Sequence, residues 1–270
     1  MTVGSATPRG IGFYTSRLVR EWGERDAKRE IAEYREAGAS HVALCVEAAD
    51  GWRARPDVLE DVAGHLGDAG LAAWGYALPS VDAWRKPELL AERMANVGSG
   101  LRGWIPDVEE QARGMRAYVR RFRTRLMQLA TERHSVGVTF YGAVPEMLSR
   151  QDVFPWDAIA GWGWAGWQCY ETAKDRDRVR ARLAGVRLHW GADVVPHLAT
   201  YQRRDGVDGA RRLDDDFWRT CVDDAGAVDV PGCWLWQDAT CDAAERAVIA
   251  AWAERFKRAQ RAEDDTRPVG

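Results

Sequence analysis

The amino-acid sequence predicts a single α/β domain, a (β/α)8 TIM-type barrel. Short apolar runs alternate with amphipathic stretches along the chain, as in repeated βα units around a parallel sheet. Eight such runs fit into the 270 residues, and a barrel of this kind takes about 250 residues. A doubly wound open sheet is disfavoured because no Gly-rich phosphate-binding turn follows the first strand.

The first four strand–helix units have clear helix boundaries. The helix after the first strand ends near Gly38, the second helix runs over 56–69 and stops at Gly70, and Pro87 starts the third. An arginine-rich helix follows the fourth strand and extends to Arg133. The four strands are predicted at GIGFYT (10–15), HVALCVE (41–47), LAAWGYALP (71–79) and LRGWIPDVE (101–109).

The second half of the chain repeats this alternation. Its strands are predicted at SVGVTFYG (135–142), near the end of DAIAGWGWAGWQCY (157–170), at ADVVPHLATY (192–201) and at GCWLWQDA (232–239). Its helices are predicted around 145–149, across 174–184, over 213–224 and over 243–259. No break in composition marks a second domain, so the sequence predicts one barrel domain over 1–260 and a polar tail over 261–270.

The composition argues against several classes of function. The net charge is −3 and the arginines are spread over helical stretches, which gives little support to nucleic-acid binding. No apolar run approaches the roughly 20 residues that span a bilayer, so membrane insertion is not expected. The five cysteines form no CxxC and no Cys/His metal spacing, and we expect neither a metal nor another cofactor. The oligomeric state stays open.

The N-terminus predicts where the protein is made. MTVGSATPRG lacks the charged region and apolar region of a secretory signal. Cytoplasmic synthesis is therefore expected, and action outside the cell would need release by lysis or by a delivery system.

Two acids at the end of the fourth predicted strand are the leading catalytic candidates. Asp107 and Glu109 are two residues apart, so in a strand they share one face, with Val108 on the other. They could be an ordinary polar strand end, but charge on the inward face of a barrel is costly unless it is paired or used. Glu110 suits the first turn of the next helix.

Aromatic, amide and hydroxyl side chains end the other strands, where barrels place their sites. This mixture suits a carbohydrate, whose flat C–H faces pack on aromatic rings while its hydroxyls bind carboxylates and amides. Many of the 14 tryptophans are expected to fill the core instead. We interpret His197 as an internal histidine in preference to a catalytic base. The predicted substrate-binding residues are Glu47, Trp74, Tyr76, Tyr141, Gln168, Tyr170 and Trp236.

The Asp-x-Glu at the end of strand four resembles the acidic signature of glycoside hydrolase barrels, among them the family-25 type muramidases (lysozymes) and the family-18 chitinase-like enzymes. ALCVEAADG, VTFYG, WQCY and WLWQDA also resemble strand ends of these barrels. Two features depart from them. The muramidases have an aspartate at the end of strand one, where this chain has Tyr14 and Thr15, and the earlier acids of the chitinase run DxxDxDxE are absent from 103–106.

The resemblance implies a hydrolase that cleaves a glycosidic bond in an N-acetylated cell-wall polysaccharide such as peptidoglycan. Glu109 is expected to be the general acid. Asp107 is expected to stay ionised as an electrostatic partner or to orient a substrate N-acetyl group, and retaining and inverting chemistry both stay open. The alternatives are a catalytically degenerate barrel that binds glycan or protein, consistent with the missing strand-one acid, and a phage or injection-machine component.

Overall fold

A computed structural model describes residues 7–23, 26–96, 100–130, 134–140, 158, 163–169, 194–199, 232–236 and 243–266. Eight parallel strands close into a barrel in sequence order, with the last strand paired to the first. The strands are β1 Gly10–Thr15, β2 His41–Glu47, β3 Ala72–Ala77, β4 Gly103–Val108, β5 Ser135–Phe140, β6 Trp164–Cys169, β7 Val194–Ala199 and β8 Gly232–Trp236. The predicted barrel and all eight of its strands are confirmed.

The described helices follow the strands. They are α1 Arg17–Arg20, α2 Ala27–Glu36, α3 Pro56–Asp68, α4 Val81–Trp84, α5 Pro87–Ala95, α6 Arg116–Leu129 and α7 Ala243–Thr266, with a 3-10 turn at Glu110–Ala112. The helices predicted at 145–149, 174–184 and 213–224 lie outside the described residues. Residues 261–266 continue α7, although the sequence placed them in a polar tail. None of the described helices is long and apolar enough to cross a membrane.

Local signals explain several helix boundaries. Asp26 caps α2 by accepting a hydrogen bond from the backbone nitrogen of Arg29 at 3.1 Å. Pro56 and Pro87 occupy the first position of α3 and α5, where the missing N–H costs nothing. Gly70, just beyond α3, has a φ of 78°, the left-handed conformation that lets the chain turn back into a strand.

The inside of the barrel is filled by aromatic rings. Trp164 and Trp234 lie almost parallel with ring centroids 6.4 Å apart, and Trp74 meets them edge-on at 5.8 and 6.2 Å. Glycines on the inward faces make the room for these rings, because a Cβ at Gly137 would collide with the indole of Trp164 and one at Gly12 would collide with Trp234. These rings fill the interior of the barrel, and barrels of this kind place their sites at the C-terminal ends of the strands.

Candidate active site

The strand β4 points its two acids into the barrel mouth. Ile105 belongs to the inner cluster of side chains, whereas Trp104 and Val108 pack in the outer core between sheet and helices. By the same alternation Asp107 and Glu109 face inward. Asp107 is only 7% exposed, and Glu109, one position above it, is half-buried. The predicted pairing of the two acids on one face is confirmed.

Gln168, from the end of β6, joins the two acids. Its side-chain nitrogen Nε2 donates to Asp107 Oδ1 at 3.1 Å and Oδ2 at 3.2 Å, and to Glu109 Oε1 at 2.9 Å. Gln168 is itself only 7% exposed, and its Oε1 is buried without a hydrogen-bond partner among the described residues. Its amide nitrogen is thus a donor shared by the two carboxyl groups, and it holds them together at the barrel mouth.

Burial favours the protonated form of Asp107. Burial raises the pKa of Asp107 well above its usual range, and the charge of Glu109 and a hydrogen bond with Glu109 raise it further, while the amide of Gln168 lowers it. A protonated Asp107 can donate this hydrogen bond to Glu109. This direction is opposite to the one assumed when Asp107 was expected to stay ionised, because Asp107 is more deeply buried than Glu109, and the ionisation of Asp107 stays a prediction.

Aromatic side chains form the opposite wall of the mouth. Tyr14 packs against Tyr76 at 4.9 Å between ring centroids and against Trp236 at 5.4 Å, and Tyr76 meets Trp236 edge-on at 5.7 Å. Trp236 is only partly buried, at the top of β8. Tyr76 and Trp236 thus lie on the inward wall as predicted, and their role in binding substrate stays a prediction.

Trp74 and His197 lie inside the barrel. Trp74 is 5% exposed and belongs to the tryptophan layer that fills the barrel, so the structure gives it a packing role in place of the predicted sugar contact. His197 packs against Tyr14 at 5.2 Å, and burial lowers its pKa to about 3. A neutral, buried imidazole agrees with the interpretation of His197 as an internal histidine.

The structure separates Glu47 from the two acids of β4. A β-bulge breaks the register of β2 and β3, since Cys45 pairs with Tyr76 but Glu47 pairs with Ala77. Glu47 consequently lies beside an outer-face residue, and its carboxylate receives hydrogen bonds from Arg93 Nε at 2.9 Å and Nη2 at 3.0 Å. These contacts give Glu47 an ion-pairing role, in contrast to the substrate contact predicted for it.

Two of the predicted residues, Tyr141 and Tyr170, lie outside the described part of the chain, and their roles stay predictions.

Two side chains at the mouth were not among the predicted site residues. Tyr14 belongs to the inner cluster, and Trp52 packs against it. The inward position of Tyr14 was readable from the alternation along β1. Within the described residues no group of three or more His, Cys, Asp or Glu could hold a metal ion.

The fold was compared with known proteins. No family model and no curated protein matches the sequence. A GH18 chitinase from Pseudoalteromonas aurantia superposes with a TM-score of 0.65 over 93% of this chain and 100% of its own, at 12% identity. The Bacillus cereus spore cortex-lytic enzyme SleL gives 0.66 over 89% and 73%, at 10% identity. A chitinase from Bacteroides thetaiotaomicron gives 0.63 over 97% and 99%, at 11% identity.

The chain has the fold of glycoside hydrolase barrels. Solved structures that share it also include a GH5-4 endoglucanase and a mannanase. At this level of identity the likeness concerns the fold, which also serves other chemistry, as in a D-psicose 3-epimerase with a TM-score of 0.54. The chemistry of this barrel therefore depends on the side chains at its mouth.

Proposed function

We propose that the protein is a glycoside hydrolase that cleaves an N-acetylated polysaccharide such as peptidoglycan. The observation that carries this proposal is the contact of Asp107, Glu109 and Gln168 at the barrel mouth. Two carboxyl groups that share protons and face an aromatic wall are suited to protonating a glycosidic oxygen above a bound sugar ring. Chitinases and a cortex-lytic enzyme among the structures of similar fold support this substrate class.

Glu109 is the general acid in this proposal. It is the more exposed of the two acids, so it is the one that a glycosidic oxygen can reach. Asp107 keeps a proton by its burial and passes it to Glu109 when a substrate N–H donates to the carboxylate of Asp107 instead. Glu109 then protonates the leaving oxygen as the C1–O bond breaks. This proton relay gives each acid a role that matches its depth in the barrel.

The contact between the two acids also bears on stereochemistry. Two carboxyl groups that flank a scissile bond are about 5–5.5 Å apart in retaining enzymes and 6.5–9.5 Å in inverting ones. Gln168 Nε2 binds both carboxyl groups at 2.9–3.2 Å, so Asp107 and Glu109 lie side by side on one wall of the mouth and do not flank a scissile bond. We therefore propose that the substrate's own acetamido oxygen attacks C1 as the leaving group departs. Water then opens this intermediate, returning its proton to Glu109, with net retention.

A catalytically degenerate barrel that binds glycan or protein is the second candidate. The muramidase resemblance calls for an acid at the end of strand one, and Tyr14 occupies that place with its ring packed against Tyr76 and Trp236. A phage or injection-machine component would use the same binding surface. Both alternatives keep the mouth as a ligand site and dispense with proton transfer by Glu109.

The test compares wild type with Glu109→Gln on peptidoglycan, by turbidity, and on chitin oligomers, by reducing-sugar release. Loss of the acid should lower kcat by about 10²–10⁴-fold, whereas Glu110→Gln, which removes the neighbouring charge, should leave kcat near that of wild type. Equal activity of wild type and Glu109→Gln would rule out the proposed acid. Glycan binding by an inactive wild type would favour the degenerate barrel.

A further inference from the structure

The loop after β2 forms a small hairpin at the rim of the mouth. The backbone nitrogen of Ala48 donates to the carbonyl oxygen of Trp52 at 3.0 Å, and that of Ala54 donates to Val46 at 2.9 Å. Gly51 makes the turn with a φ of 85°, a conformation that a side chain would strain. The hairpin extends β2 beyond the barrel and fixes the position of Trp52.

Trp52 packs at the rim of the mouth, and the guanidinium of an arginine lies over its ring. It is partly buried and packs against both the inner cluster and the outer core. The guanidinium carbon of Arg20, from α1, lies 4.6 Å from the centroid of the indole, a cation–π contact. Arg20 is therefore held against the indole of Trp52.

Asp50 fixes the arginine from the tip of the hairpin. Its Oδ2 accepts from Arg20 Nη2 at 3.2 Å, and its Oδ1 accepts from the backbone nitrogen of Trp52 at 3.0 Å. Only Nη2 of Arg20 is used in this way, so Nε and Nη1 have no acceptor among the described residues. The side chain of Arg20 is 34% exposed, which leaves these donors accessible to a ligand.

Arg20 and Asp50 both lie close enough to the inward side of β2 to act on its cysteine. Burial raises the pKa of the Cys45 thiol to about 11, a hydrogen bond with Tyr76 and the charge of Arg20 lower it, and the charges of Asp50 and Glu47 raise it. Trp52 also contacts the inner cluster, which contains Tyr14 and Tyr76. Trp52 therefore connects the cation of Arg20 to the aromatic wall of the mouth.

From these contacts we infer that Arg20 and Trp52 form a subsite for a carboxylate carried by the glycan. A guanidinium that is stacked on an indole and held by Asp50 loses little freedom on binding, and its free N–H groups suit a carboxylate. Asp50 does not oppose such a ligand strongly, because its charge is offset by Arg20. This inference rests on the proposed function and narrows it to acidic glycans, with neutral chitin as the poorer substrate.

The experiment measures binding apart from turnover. The dissociation constant of a peptide-free N-acetylglucosamine–N-acetylmuramic acid oligomer, which bears free carboxylates, is compared with that of the same oligomer after reduction of its carboxyl groups to alcohols. Titration calorimetry is run in the Glu109→Gln background, which lacks the proposed acid and so keeps the oligomer intact, and the parent, Arg20→Gln, Asp50→Asn and Arg258→Gln give the four ratios. Arg258→Gln is the matched control, because it removes an exposed arginine charge from α7, outside the barrel.

We expect Arg20→Gln to weaken binding of the acidic oligomer about tenfold, as for one charge-assisted hydrogen bond, and to leave binding of the reduced oligomer unchanged. Asp50→Asn should bind the acidic oligomer at least as tightly as the parent, since the amide oxygen still accepts from Trp52 and the negative charge is gone. Equal losses for both oligomers, or loss with Arg258→Gln, would overturn the subsite. Tight binding of the acidic oligomer, without any hydrolysis by the wild-type protein, would support the subsite and contradict the proposed hydrolase activity.

Discussion

Gln168 holds Asp107 from two strands away, with its Nε2 3.1 and 3.2 Å from the two carboxyl oxygens. These residues are 61 positions apart in the sequence, and the pairing of β4 and β6 with the strand β5 between them brings them together. The same nitrogen also binds Glu109, so one amide orients both acids. The catalytic proposal therefore depends on a residue that carries no charge.

Replacing Gln168 by Met should shift the pH dependence of activity. The amide lowers the pKa of Asp107 by donating to its charged form, and Met keeps a similar volume without a donor. The pKa of Asp107 should then rise, and both limbs of the kcat/KM profile should move to higher pH, with a loss of about tenfold at the optimum. Gln128→Met, the same change on the exposed face of α6, is the control. An unshifted profile with reduced kcat would mean that Gln168 acts only through packing.

Asp107→Asn should make the protein more stable while abolishing its activity. Because the folded protein raises the pKa of Asp107, the folded state binds more protons than the unfolded state between the two pKa values, and stability falls as the pH rises through the folded pKa. Asn cannot ionise and escapes this loss. We expect a melting temperature a few degrees above wild type at neutral and alkaline pH, and a smaller difference at pH 4. An equal shift at every pH would contradict the electrostatic cause.

The alternation of inward and outward residues along the strands could be predicted from the sequence. It also predicted that the two acids of β4 face inward. The position of Glu47 was not, because the same alternation would place it inward and the bulge after Cys45 reverses its side. The height of Trp74 within the barrel also depends on how its strand staggers against its neighbours. The protonation of the two acids also depends on how deeply each is buried in the barrel, and Asp107 and Glu109 are successive inward-facing positions.

Glu47→Gln should destabilise the fold and leave catalysis largely intact. Glu47 is 2% exposed and binds Arg93 through both oxygens, so a neutral amide leaves a largely buried guanidinium without its counter-charge. We expect a loss of about 2–4 kcal/mol in the free energy of unfolding, measured with urea. Glu88→Gln, which breaks an exposed pair with Arg121 on the neighbouring helices, should change it little. A large fall in kcat/KM for the folded Glu47→Gln variant would contradict this role and support the predicted contact of Glu47 with substrate.

The two histidines inside the barrel should make the protein sensitive to acid. Burial lowers the pKa of His41 and of His197 from 6.5 to about 3. Between these pH values the unfolded state binds a proton at each histidine that the folded state does not, so the free energy of unfolding decreases as the pH falls below 6.5. Below pH 6 each histidine should contribute a slope of about 1.4 kcal/mol per pH unit.

The slope, and not the absolute stability, tests this assignment. Whatever packing His197→Gln and His41→Gln lose, each should remove about half of the histidine-derived slope between pH 5 and 6, because glutamine does not titrate. Urea unfolding at half-unit steps of pH over that range measures it, where most carboxyl groups are already ionised in both states. A slope that stays at the wild-type value in both variants would show that other groups cause the acid sensitivity.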